Sequence, residues 1–211
     1  MTLRAGTALS GLCGALLAAC ASGPAARSPE EESLFDGRSL GSWKPTEFGG
    51  EGKVRVEDGQ IIVEAGVQLS GIHWAGGPLP RTNYELTLEA RKIDGNDIFC
   101  GIAFPVGNSF CSFVAGGWGG TVTGLSSVDG MNASENETGT YREYEKGRWY
   151  LFRLKVTPER IQVWVDDQPV VDLALKERSI SIHPAMELSQ PLGLATYQTT
   201  SAFRKIRLRK L

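Results

Sequence analysis

The chain has 211 residues, 41% of them apolar, and a formal net charge of −2. That length suits one domain with a full hydrophobic core, so dense disulfides or a structural metal are not needed for stability. Slightly acidic chains of this kind lack the basic surface that nucleic acid requires, and a nucleic-acid partner is excluded.

The first nineteen residues read as an export signal. Arg4 supplies the positive start, residues 5–16 form a small, apolar stretch, and Leu17-Ala18-Ala19-Cys20 ends it. The stretch is too short for a permanent membrane span. Its end resembles the bacterial lipobox, which implies cleavage before Cys20 and lipidation of that cysteine; the alternative is cleavage nearby, with Cys20 left as a free thiol. The expected location is the bacterial cell envelope, with the membrane reached through the N-terminal lipid alone. Residues 20–33 are rich in Ser, Pro, Ala and Glu without apolar periodicity, and are expected to be a flexible tether. The folded domain is expected over 34–211.

From Leu34 onward, short runs of Val, Ile, Leu, Thr and aromatic residues alternate with Gly, Pro, Asn and Asp. Strands are predicted at 54–56, 60–64, 84–91, 99–104, 110–115, 149–157, 160–166, 168–172, 193–197 and 203–208. The clearest alternation sets Tyr84, Leu86, Leu88 and Ala90 on one face, and Glu85, Thr87, Glu89 and Arg91 on the other. Asp58-Gly59 and Asp166-Asp167 mark tight hairpin turns. No long segment has a helical period. The fold class is therefore all-β: a two-sheet antiparallel β-sandwich.

Four segments, in order, resemble the 3-keto-disaccharide hydrolase family. Residues 34–44, LFDGRSLGSWK, are similar to its opening LFDGKSLxGWK, and 83–91, NYELTLEAR, to its FELxxEFR strand. The run from Gly147-Arg148-Trp149 through Trp164-Val165-Asp166-Asp167 to Val171-Asp172 matches its tryptophan-bearing hairpin, and Phe203-Arg204-Lys205-Ile206 its closing strand. The resemblance implies a concanavalin-like jelly roll, of the class that includes laminin-G-like domains, and cleavage of the glycosidic bond in sugars oxidised to a ketone at position three. Such chemistry needs a base for the proton beside the ketone, a donor for the enolate oxygen and an acid for the leaving group. Three features depart from the family, one being residues 116–144, which lack a clear counterpart of its usual pattern. Residues 98–102, IFCGI, replace its GNSGI, and Tyr197-Gln198-Thr199-Thr200 stands where many relatives carry a histidine.

The candidate catalytic residues are Glu89 as base, Arg91 as enolate donor, and His73 as a second base beside Trp74. Glu89 and Arg91 share one face of a strand; they are site residues if that face is the binding one, and an exposed ion pair otherwise. Trp118, set among four glycines, is either a platform for a sugar ring or a plug for the sandwich end. Ser126, Asp129, Glu135, Asn136 and Glu137 lie in a loop dense in hydrogen-bonding groups, which is either a sugar site or a solvated excursion. Gln198 is the remaining candidate for substrate binding. Asp94-Gly95-Asn96-Asp97 fits an ordinary turn better than a Ca²⁺ ligand set, and no cofactor is expected. Cys100 and Cys111 either form a disulfide across a hairpin or are two small buried side chains. Carbohydrate is the expected partner. A non-catalytic sandwich binding glycans or proteins is the alternative to the enzyme, and a structural envelope lipoprotein is a third class.

Overall fold

The computed structural model describes residues 1–3 and 31–211. Cys20 and most of the expected signal and tether lie outside the described residues. In chain order the first strands are β1 (Glu31–Ser33), β2 (Trp43–Pro45), β3 (Val54–Glu57), β4 (Gln60–Val63), β5 (Leu69–Trp74), β6 (Tyr84–Asp94), β7 (Cys100–Val106) and β8 (Ser109–Gly116). They are followed by β9 (Val122–Ser126), β10 (Thr140–Tyr141), β11 (Trp149–Val156), β12 (Arg160–Val165), β13 (Gln168–Ala174), β14 (Gly193–Tyr197) and β15 (Thr200–Lys210).

The strands form two antiparallel sheets. Sheet I has the order β13-β12-β11-β6-β15-β4-β3, with β1 also on β15; sheet II has the order β10-β9-β8-β7-β14-β5-β2. The chain is thus an all-β jelly-roll sandwich, as its alternation predicts. Inward positions of sheet I, such as Leu86, Leu88, Phe152, Leu154 and Phe203, pack on Ile72, Ile102, Phe104, Phe113 and Leu194 of sheet II. Phe99, Tyr144 and Tyr150 close one region of this core, with ring centroids 4.7 to 5.9 Å apart. Asp58-Gly59 and Asp166-Asp167 take positive φ at both turn positions, as two-residue hairpins require.

The opening motif is a structural latch. Trp43 packs edge-on to Trp74 at 5.4 Å, and its indole Nε1 donates to the Leu34 carbonyl at 2.8 Å. Asp36 Oδ1 accepts from the backbone N–H groups of Arg38 and Ser39 at 2.7 and 2.9 Å, fixing the turn between them.

Two expectations need correction. Residues 31–33 are not tether but strand β1, paired with Arg207–Arg209 of β15, and Glu31 bonds Arg207 at 3.2 Å. Their polar composition reads as linker because an edge strand on a solvated face needs no apolar side chains. Cys100 and Cys111 are free and buried. Register explains why: Cys100 faces Ala115 and Cys111 faces Phe104, so the thiols sit four positions apart along one hairpin. That offset is roughly 13 Å along a strand, about twice what a disulfide spans.

Burial pushes both thiols up in pKa, Cys111 to about 12. Folded protein should therefore resist alkylation at both positions. After unfolding without reductant, peptide mass spectrometry should find the label on both Cys100 and Cys111.

Candidate functional site

The register of sheet II builds a hollow on its outer face. One row across the strands runs Gly124, Val114, Gly101, Ala195 and Gly71; the next runs Ser126, Ser112, Ala103, Gly193 and His73. Nearly all of these side chains are small, so the middle of the face carries little bulk. At Gly71 the constraint is steric, since a Cβ would lie 2.4 Å from the Leu194 carbonyl oxygen.

Two segments raise walls around this floor. After β13 the chain crosses sheet II: Ser181 exchanges backbone hydrogen bonds with Ser127, and the His183 N–H donates to Ser112 Oγ at 3.2 Å. A 3-10 turn, Pro184–Ser189, follows, and its Met186 packs on Ala103 and Ala195. Residues 95–99 and the glycine-rich turn after β8 form the other wall. Between them is a cavity of about 340 Å³, within the range of small-molecule sites. Its surface is mainly apolar, from Leu69, Ile98, Val114, Met186 and Ala195. Asp97, Ser112, Ser126, His183 and Tyr197 bring polar atoms to it, with Trp118 at the edge.

Trp118 is 48% exposed and sits in the left-handed region, at φ 50° and ψ 54°. For a bulky residue that conformation costs about 1–3 kcal/mol, so its surroundings must enforce it. They do so through Gly119, gripped at both backbone polar groups. Asn96 Nδ2 donates to the Gly119 carbonyl at 2.9 Å, and the Gly119 N–H donates to Asp97 Oδ2 at 3.2 Å. Asp94 ends β6, and the side chains of Asn96 and Asp97 after it serve as a clamp on the Trp118 loop. Asp94 pairs with Lys146 at 2.8 Å.

Asp97 Oδ1 also accepts from the Ile98 N–H at 2.8 Å, and the Asp97 N–H donates to Thr199 Oγ1. The carboxylate is thereby fixed beside Trp118. His183 Nδ1 accepts from the Ala185 N–H at 3.2 Å, which leaves the neutral ring its proton on Nε2. Burial holds this imidazole below its ordinary pKa of 6.5. Ser126 Oγ accepts from the Ala133 N–H at 2.9 Å and still has its own proton to donate.

Of the residues singled out from sequence, Trp118 and Ser126 meet at the cavity, and the others do not. Glu89 and Arg91 lie on the outer face of sheet I, across the sandwich from the cavity. Glu89 bonds Arg204 at 2.6 Å and Lys205 at 2.8 Å. Burial raises its pKa, but Lys205 and Arg204 outweigh that and hold it below the ordinary value. Arg91 donates to Gln60 at 3.0 Å and lies over Trp149 at 4.7 Å, with Arg204 over the same indole at 4.0 Å. The strand alternation is as predicted, but its polar face is the one away from the cavity.

His73 is on the outer face of sheet II but beyond the cavity, bonded through Nδ1 to Thr46 Oγ1 at 3.1 Å. In the 126–138 loop only Ser126 reaches the cavity. Asn136 donates to the Leu125 carbonyl of β9 and to the Met131 and Asn132 carbonyls of the loop, and accepts from Thr138, so its amide is spent holding the loop. The Ser179 N–H and Arg178 hold the Asp129 carboxyl below its ordinary pKa, and Glu137 also pairs with Arg178. Glu135 accepts from the Asn132 N–H at 3.0 Å. Gln198 points its Nε2 at the Val67 carbonyl, beside the cavity rather than in it. Asp97, Ser112, His183 and Tyr197 line the cavity without having been chosen as site residues. His183 looks like loop punctuation before Pro184, and only the path of its loop across sheet II gives it a role.

A jelly roll with a walled hollow on one outer face defines the class of sandwich to which this chain belongs. Residues 30–209 match the model of the 3-keto-alpha-glucoside-1,2-lyase-like domain, and the chain is a member of that family. No curated protein matches the chain. Among solved structures it is similar to a Bacillus subtilis protein of unknown function with a galectin-like fold, at TM-score 0.59 and 7% identity, covering 86% of this chain and 94% of the other. It is also similar to the Crh5 transglycosylase in complex with NAG, at TM-score 0.57 and 11% identity, covering 85% and 83%. A third is the carbohydrate-binding module CBM66 from Bacillus subtilis, at TM-score 0.52 and 13% identity, covering 80% and 96%. At these identities the likeness is one of fold.

The clamp around Trp118 generates a stability test. Trp118→Gly relieves the left-handed strain as it removes the half-exposed indole, and should change unfolding free energy by less than about 1 kcal/mol. Trp118→Ala keeps the strain and loses the indole contacts, and should lower it by about 1–2 kcal/mol. Denaturant titration of the two variants checks the difference.

Proposed function

We propose that the sheet II cavity binds a 3-keto-glycoside and cleaves its glycosidic bond by elimination, with water adding back afterwards. The observation that carries this reading is the meeting of Asp97, His183, Ser126 and Trp118 around one apolar hollow, in a chain of the 3-keto-alpha-glucoside-1,2-lyase-like family. The names of the similar structures, a transglycosylase with NAG and a carbohydrate-binding module, support a carbohydrate ligand.

In this mechanism Trp118 stacks on the apolar face of the sugar ring, whose polar edge meets Ser126 and His183. Asp97 removes the proton from the carbon between the ketone and the anomeric carbon. The C–H electrons pass onto the ketone as an enolate, and as its carbonyl re-forms, the double bond to the anomeric carbon forms and the anomeric C–O bond breaks. His183, kept neutral by burial, donates its Nε2 proton in a hydrogen bond to the ketone oxygen as that oxygen gains charge. The Asp97 carboxyl then holds the abstracted proton for the leaving oxygen. An unoxidised glycoside has no proton acidic enough to enter this sequence. We further propose that the protein works in the cell envelope, held to the membrane by a lipid on Cys20; intact-mass measurement of protein from its native host should find a diacylated N-terminal Cys20, and an N-terminus elsewhere overturns the anchor.

The full chain should cleave a 3-keto-glucoside and leave the parent glucoside intact. Asp97→Asn should lower kcat about a hundredfold or more, and His183→Gln about tenfold or more, while Glu89→Gln stays within about twofold of wild type. Because His183 must be neutral and its pKa is lowered, its contribution persists at neutral pH and is lost only as pH falls below 6.5. The pH profile of kcat/KM should show that acidic limb, and His183→Gln should remove it. A folded chain that leaves every 3-keto-glycoside untouched yet binds glycans overturns the enzyme in favour of a binding module.

A further inference from the structure

We infer that the cavity carries a leaving-group subsite at its β5 end that takes a flat, apolar aglycone; this rests on the function proposed above. The cavity is chemically lopsided along the strand order of sheet II. Ser112 on β8, Ser126 on β9, Trp118 just after β8 and Asp97 just before β7 gather the polar atoms at one end. Toward β5 the surface changes. Leu69 lies opposite Tyr197 in the register, and Met186 packs on Ala195 and Ala103 with Phe48 and Leu69 against it.

Among the described residues Asp97 is the only Asp, Glu, Lys or Arg lining the cavity, so none of them offers a cation for a phosphate or carboxylate on the leaving group.

A second sugar ring is also a poor fit at this end. It presents several hydroxyls, each needing a partner once water is displaced, against Gln68 and Tyr197 alone. An aromatic ring needs none and would cover Leu69, Met186 and the Tyr197 ring. The polar end then holds the oxidised sugar, and the glycosidic oxygen lies over the row Val114, Gly101 and Ala195, where small side chains let the substrate cross the floor.

The test compares the 3-keto derivatives of methyl glucoside, benzyl glucoside and a glucosyl disaccharide on the full chain. Methanol and benzyl alcohol are nearly equally acidic, so the difference between their ketosides reports aglycone contacts rather than leaving-group acidity. Benzyl should exceed methyl in kcat/KM by about tenfold or more, mostly through KM, because the ring is bound alike in ground and transition states. The disaccharide should be no better than methyl. Met186→Gln should bring the benzyl-to-methyl ratio toward one. A wild-type ratio near one, or a disaccharide cleaved faster than the benzyl ketoside, overturns the subsite while leaving the proposed function standing. If no ketoside is cleaved, the function fails, and titration of the unoxidised benzyl and methyl glucosides by tryptophan fluorescence decides the subsite separately. Tighter benzyl binding by about tenfold sustains it; equal affinity or none overturns it.

Discussion

The antiparallel register of sheet II is the constraint on which the site depends. It aligns glycines and alanines from four strands, with Ser112 and Val114 of β8 between them, into adjacent rows, so that one outer face of the sandwich has a floor with little side-chain bulk. A slip of one residue in any of these strands would turn core side chains such as Ile102 or Leu194 outward and fill the hollow. The same pairing that buries Phe104 and Phe113 on the inner face therefore opens the cavity on the outer one. Core packing and site shape are two faces of a single choice.

Strain at Trp118 is the second element. The glycines on either side allow the sharp path, but the indole itself stands on a left-handed residue, a position that stability alone would assign to glycine. Asn96 and Asp97 hold the loop from outside through both polar groups of Gly119. Asp97 thus links the shape of the site to its charge: one carboxylate fixes the aromatic wall and presents an anion beside it. A rigid platform next to a fixed carboxylate is an arrangement suited to holding one face of a ligand while a proton is moved.

Sheet I has a different character. Its outer face is a lattice of ion pairs, with Glu89 between Arg204 and Lys205, Glu85 bonded to Arg209 at 2.8 Å, and Arg153 over Trp164 at 3.8 Å. Arginine guanidinium groups cover the indoles of Trp149 and Trp164, which lets a sheet with large aromatic residues on its outer face meet water. Several family motifs fall here or at the Trp43 latch. They mark the positions that assemble the sandwich, and the cavity residues lie between them.

The sequence by itself determined the class of fold, most of the strands, the hairpin turns and the family, because inward-facing apolar positions and turn residues act locally and repeat every second residue. It also placed Glu89 and Arg91 on one face of a strand, but alternation has no term for which face of which sheet is hollow. Strands β5 and β9 escaped prediction for the same reason that they make the site. Gly71 and Gly124 interrupt the pattern where the outer face must be empty. The 126–138 loop looked like a site because its hydrogen-bonding groups are many, yet Asn136 satisfies the loop itself. Only the tertiary structure decided that His183, some seventy residues from Ser112, is hydrogen-bonded to it, and that Asp97 meets Trp118 across a separate turn. Such contacts depend on how the strands pair and how a long loop crosses them, and no local pattern of residues encodes that path.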